Sequence, residues 1–198
     1  MKRAAAPDPA RAAASLAAIL GEDGLLVGGL AVGAHGFVCA TRDIDFVARI
    51  PLAAVRSRLR AGGITAVLRR GHPTEGDFPC VQGTVEGVPF DVIPPLVPLE
   101  WERAVELKMA DGQRILVVDL DGLIRMKLRA QGPQDLMDVA ALVMRHPGRL
   151  HQALEAAAEQ GIAHELQPWL ADARLRAQVV KAARGERGRR KRVSPKGR

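Results

Sequence analysis

The stretch Thr41-Arg42-Asp43-Ile44-Asp45-Phe46-Val47-Ala48 decides how the rest of the chain is read. Alternation from Asp43 to Ile50 predicts a strand, with Ile44, Phe46 and Ala48 on one face and the Asp43 and Asp45 carboxylates together on the other. Two carboxylates side by side repel, which costs stability unless a cation lies between them, and hard oxygen ligands at this spacing suit Mg²⁺. An Asp-x-Asp pair also occurs at the solvent end of strands that bind nothing, so the pair alone leaves both readings open.

Downstream, Val88-Pro89-Phe90-Asp91-Val92-Ile93 is an apolar strand whose lone charge, Asp91, would be expensive to bury without a partner. If this strand lies beside the first, three carboxylates converge and can position divalent ions that polarise a triphosphate and activate a hydroxyl. Glu86-Gly87 separates it from a strand over Cys80 to Val85, as in a tight hairpin. Upstream, Leu25-Leu26-Val27 reads as a short buried strand that ends on Gly28-Gly29, with a helix over 30–36 after it. Without side chains at the glycine pair, backbone N–H groups and the start of that helix can approach an anion closely; a simple turn explains the pair about as well.

Further outward, Leu16, Ile19 and Leu20 predict a first helix, and Pro51 opens another through Leu52, Val55 and Leu59 that Gly62-Gly63 closes. Strands are expected over Ile64 to Leu68 and Arg114 to Val118, and a helix over Trp101 to Met109. Beyond Asp119-Leu120-Asp121 the pattern is helical: Leu123 to Ala130, Asp135 to Met144, Leu150 to Gln160 and His164 to Ala183. The expected fold class is α/β (α+β), a mixed sheet with flanking helices followed by a C-terminal helical region. Its parts are a core over residues 1–120, helices over 121–183 and a disordered basic tail over 184–198.

Charge separates that tail from the body. Residues 181–198 hold nine Lys or Arg and the single acid Glu186, a net +8, so the other 180 residues carry −1 of the chain's +7. Such a tail attracts polyanions, and RNA or DNA is the expected partner; a solvated terminus with no partner is the alternative. Cys39 and Cys80 are too few for a disulfide framework or a zinc site, which fits a reducing cytoplasm. No segment approaches the roughly 18 apolar residues of a membrane span. With 3% aromatic residues and no Tyr, the core is built from Leu, Val, Ile and Ala, and Trp101 and Trp169 are expected to pack rather than stack on bases.

Gly28-Gly29, then Thr41-Arg42-Asp43-Ile44-Asp45-Phe46, then Asp91 in a later strand, together resemble the motif of the nucleotidyltransferase (polymerase-beta-like) superfamily: a glycine pair, an Asp-x-Asp and a third carboxylate. Within it the chain is most similar to minimal, AbiEii-like nucleotidyltransferases of bacterial toxin–antitoxin type, with Lys127-Leu128 and Asp135-Leu136-Met137-Asp138 matching their second element. It departs from them at Cys39 and at Gly132 or Pro133, where relatives often carry arginine. The resemblance implies an Mg²⁺-dependent transfer of NMP from an NTP, ATP among them, to an acceptor hydroxyl such as a tRNA 3′ end. In that reading Asp43, Asp45 and Asp91 hold metal, Gly28, Gly29, Thr41 and Arg42 hold nucleotide, Lys127 balances phosphate charge, and a cognate antitoxin is the protein partner. Read without the resemblance, Arg125, Lys127 and Arg129 form a solvated helix face, Asp135 caps its helix and Asp138 pairs with a cation. The competing class is a non-catalytic protein that keeps the fold and binds a protein or nucleic-acid partner.

Overall fold

The computed structural model describes residues 7–37, 41–71 and 78–193, the last ten by their backbone alone. They divide into two compact units, residues 1–34 with 39–123 and residues 35–38 with 124–198.

The first unit is built on a seven-stranded mixed sheet. Its strands are β1 (Gly24–Val27), β2 (Ile44–Ala48), β3 (Ala66–Arg69), β4 (Cys80–Val85), β5 (Val88–Ile93), β6 (Val105–Lys108) and β7 (Arg114–Val117). They lie in the order β3-β4-β5-β2-β1-β7-β6. The pairs β2·β5 and β1·β7 are parallel and the rest antiparallel. Helices α1 (Pro9–Leu20) and α3 (Leu52–Ala61) pack on this sheet, and α2 (Gly28–Ala34) contacts β1 and β2.

Local chemistry sets these elements. Asp8 caps α1: its Oδ1 accepts from the N–H groups of Ala10 (3.0 Å) and Arg11 (3.3 Å), and Pro9 occupies the first turn, where no donor is lost. The β4–β5 hairpin turns on Glu86 and Gly87 at φ 50° and 80°, the paired left-handed geometry that suits a two-residue turn. One sheet face carries Leu26, Phe46, Val92 and Val81, all nearly or fully buried, and a Cβ on Gly24 of that same face would strike Leu20 of α1. That face packs under α1, and on the opposite face Leu25, Val27 and Val47 are buried as well.

Two expectations change. The helix expected over Trp101 to Met109 is a single 3₁₀ turn, Trp101–Arg103, followed by strand β6. Pairing of Val105 with Val117 and of Leu107 with Ile115, closed by a turn with Gly112 at φ 85°, overrides the local helical pattern. The helix expected over His164 to Ala183 is two, α7 (Ala163–Ala171) and α8 (Ala173–Val193). Asp172 is extended between them, and its Oδ1 accepts the Leu175 N–H at 2.7 Å, so it starts a new helix. The backbone of α8 runs on through Val193, into the basic tail expected from 184. Residues 194–198 of that expectation lie outside the described residues.

In the second unit α5 (Pro133–Arg145) packs against α6 (Leu150–Glu159), α7 and α8. Its core is Leu136, Val139, Leu142, Ala153, Ala157, Leu166, Leu175 and Val179. The division between the units falls within α4 (Leu120–Ala130), after Leu123, with residues 35–38 counted in the second unit. No helix among the described residues is long and apolar enough to cross a membrane.

Candidate active site

Parallel pairing of β2 with β5 sets Asp45 directly against Asp91, because Ile44 registers with Phe90 and the strands stay in step to Val47 and Ile93. Residues opposite each other on paired strands share a face. Asp45 and Asp91, both half-buried, therefore stand side by side on the face opposite the Phe46 core. Neighbouring strands are about 4.8 Å apart, so the two side chains start within a carboxylate's reach of one another.

The glycine pair closes on the same place. β1 pairs with β2 so that Val27 opposes Asp45, and the next residue, Gly28, turns at φ 63°. A Cβ on Gly28 would run into Asp45 Oδ2, and one on Gly29 would lie 2.8 Å from Thr41 Cβ and 2.9 Å from its Oγ1. Both positions need glycine for two reasons at once at Gly28, backbone sign and space, and for space alone at Gly29. The pair is thus a close approach of backbone to the acidic site, not only a turn.

Asp43 is placed differently from the expectation. It lies just ahead of β2 and is exposed, so strand alternation does not fix its side chain beside Asp45. Thr41 donates its hydroxyl to Asp43 Oδ1 at 2.7 Å, which gives Thr41 a role in holding a carboxylate. Arg42, between them, is exposed. Among the described residues no three His, Cys, Asp or Glu side chains are gathered closely enough to enclose a metal ion. What fits a hard divalent cation is the Asp45–Asp91 pair: two oxygen donors on adjacent strands, with the missing Gly28 Cβ leaving Asp45 Oδ2 room. The hydroxyl of Thr41 occupies Asp43 Oδ1, one of the two oxygens of that carboxylate.

Gln82 is a neighbour that sequence reading missed. It opposes Asp91 from β4, extending the polar row Asp45–Asp91–Gln82, and Arg69 Nη1 donates to its Oε1 at 3.1 Å. Alternation along Cys80 to Val85 places Gln82 on the face of Cys80 and Thr84, but only the strand order brings it to Asp91.

Lys127 belongs to the second unit and is neither solvated nor open. Its side chain is 9% exposed, and its ammonium donates to Asp135 Oδ1 at 2.9 Å and pairs with Asp138 Oδ2 at 2.8 Å. Burial works to discharge the amine, but the two carboxylates outweigh it and hold the pKa above its ordinary value. Asp135 Oδ2 also accepts the Gly132 N–H, and Gln134 donates to Asp138 Oδ1. The capping and ion-pairing roles read for Asp135 and Asp138 are both present, gathered on one lysine. Cys39 lies outside the described residues.

No protein-family model and no curated protein matches this chain. Solved structures similar to it include a candidate nucleotidyltransferase from H. pylori, with 13% identity, a TM-score of 0.45, and 87% of this chain and 88% of that one covered. JHP933 from Helicobacter pylori is 13% identical at a TM-score of 0.38, with 91% and 94% covered. The antibiotic-resistance factor ANT(2'')-Ia, solved in complex with adenylyl-2''-tobramycin, is 13% identical at a TM-score of 0.44, with 87% and 95% covered.

Proposed function

We propose that this chain is a nucleotidyltransferase that moves a nucleoside monophosphate from an NTP to an acceptor hydroxyl. The observation that carries the reading is the register of Asp45 against Asp91 beside the Gly28 turn, which supports it by bringing one carboxylate of the Asp-x-Asp, the third carboxylate and the glycine pair close together. In the reaction the acceptor oxygen bonds to the α-phosphorus, the bond from that phosphorus to the bridging oxygen breaks, and pyrophosphate leaves. Asp91 takes the hydroxyl proton, a task open to a half-buried carboxylate within reach of the attacking group. Gly28 and Gly29 let the phosphates approach backbone, and Thr41 orients the Asp43 carboxylate through its hydroxyl. Asp45 and Asp91, with Asp43, would hold Mg²⁺, which when bound supplies charge neutralisation and Lewis acidity at the phosphates.

The acceptor we favour is the 3′ end of a tRNA, and the biological setting a toxin held by a cognate antitoxin. Supporting this are the likeness of Thr41–Phe46 and of Lys127-Leu128 with Asp135 and Asp138 to AbiEii-like proteins, and the basic C-terminal segment. Arginine-rich segments suit a polynucleotide. The test is incubation with each α-labelled NTP, Mg²⁺ and either total tRNA or an aminoglycoside, comparing wild type with Asp45→Ala. Label in RNA from wild type alone supports the reading; label in the aminoglycoside keeps the chemistry and replaces the acceptor. No label in any acceptor or in the protein itself refutes the transfer and leaves the non-catalytic reading.

A further inference from the structure

We infer that a pocket on α3, on the sheet side opposite the carboxylates, binds the phosphodiester backbone of a polynucleotide. The pocket has a volume of about 530 Å³ and is lined by Arg56, Ser57, Arg60, Ile64, Thr65 and Ala66, all within the first unit. Among the described residues its charged groups are two guanidiniums, its other side-chain polar groups are two hydroxyls, and no carboxylate lines it.

The basic residues of this region divide by partner. Arg58, also on α3, is neutralised by Asp23 at 2.9 Å, and Arg49 by the same carboxylate at 2.8 Å. Among the described residues no acidic side chain pairs with Arg56 or Arg60. Like charges four residues apart on a helix stand on one face and repel. The C-terminal end of α3 compensates Arg60, which lies in its last turn, but Arg56 sits in the middle of the helix, where the helix dipole gives nothing. An anion between the two guanidiniums removes the repulsion.

Phosphate fits better than carboxylate, and a strand of phosphates better than one. The planar forks of Arg56 and Arg60 match phosphate oxygens, with the Ser57 and Thr65 hydroxyls as further donors or acceptors. The arginines are about 6 Å apart along the helix axis, comparable to successive phosphates on one strand, and the pocket is open and larger than a single phosphate needs. α3 packs with α1 over the Phe46 core, whereas Asp45 and Asp91 look out from the other face, so the pocket is separate from the reacting site. It would hold the body of a polynucleotide acceptor, and to that extent it deepens the proposed function.

The experiment is fluorescence anisotropy of a labelled single-stranded RNA of mixed sequence with the full chain, without NTP or metal, so that binding is scored apart from transfer. Arg56→Gln/Arg60→Gln is compared with the charge-matched Arg129→Gln/Arg174→Gln across a salt series. The pocket variant is expected to bind about tenfold more weakly near physiological salt. Its log Kd against log salt slope should shrink by about 1.4–1.8, the share of two phosphate contacts, with the control within twofold of wild type. Equal losses in the two variants, or none in the pocket variant, overturn the proposal. Full displacement of the RNA by millimolar inorganic phosphate at matched ionic strength also overturns it, since the site would then take a single phosphate. Both arginines are exposed, so the melting temperature should not move. Should it fall, Arg56→Gln alone decides, with about a threefold loss expected and no loss refuting.

Discussion

Replacing Lys127 with Met separates two roles that the sequence leaves superposed on that residue. Met keeps most of the side-chain volume and removes the ammonium, leaving Asp138, which is 1% exposed, without its cation, and Asp135, 24% exposed, with only the Gly132 N–H. Breaking a buried pair from one side costs about 3–5 kcal/mol, because the remaining charge stays desolvated. Gln134 still donates to Asp138 and water reaches Asp135, which puts the expected cost near the lower end, about 3 kcal/mol. For a chain of this length that is a fall of roughly 6–12 °C in melting temperature, read by circular dichroism at pH 7. Lys127→Met/Asp138→Leu should recover most of it, since no buried charge is then orphaned. A fall below about 2 °C in Lys127→Met, with nucleotidyl transfer abolished, would refute the structural assignment and make Lys127 a phosphate ligand.

Gly28→Ala should lower stability by about 1–3 kcal/mol, from the left-handed backbone at φ 63° and the contact of the new Cβ with Asp45, and should reduce transfer; an unchanged melting temperature would contradict the close approach. Asp91→Asn should abolish the thermal stabilisation by Mg²⁺ with NTP while the fold without ligand persists, and a full shift in the variant would remove Asp91 from the site. Asp23, held below the usual carboxylate range by the Arg49 hydrogen bond first and that of Arg58 next, contributes stability present above pH 3.8 and lost as pH falls through its folded pKa. The melting-temperature difference between wild type and Asp23→Asn should therefore vanish toward pH 2. Lys127 has the opposite sign: its raised pKa gives stability that is complete below pH 10.5 and lost above, so a pH series from 6 to 9 should show no step from it.

Much of the first unit was written in local pattern. Alternation around Ile44 and Phe46, the lone charge among the apolar residues of β5, the Glu86-Gly87 turn and the glycine pair each report a short-range constraint, which a sequence states directly. What no local pattern contains is strand order. Asp45 meets Asp91 because β2 and β5 pair in parallel across 46 residues of chain, and Gln82 joins them because β4 lies next. Side-chain direction at Asp43 likewise waited on where β2 begins, one residue later than alternation implied. The same limit produced the misread helix at Trp101 to Met109: its residues tolerate either conformation, and pairing with β7 chose the strand. Lys127 shows the converse. Its spacing from its neighbours on α4 matches a solvated face, and only the packing of α4 with α5 within the second unit buries the amine against Asp135 and Asp138. Which residues carry charge and which turns are possible follow from the amino-acid order; which charges face one another follows from the fold, because that depends on contacts between segments far apart in the chain.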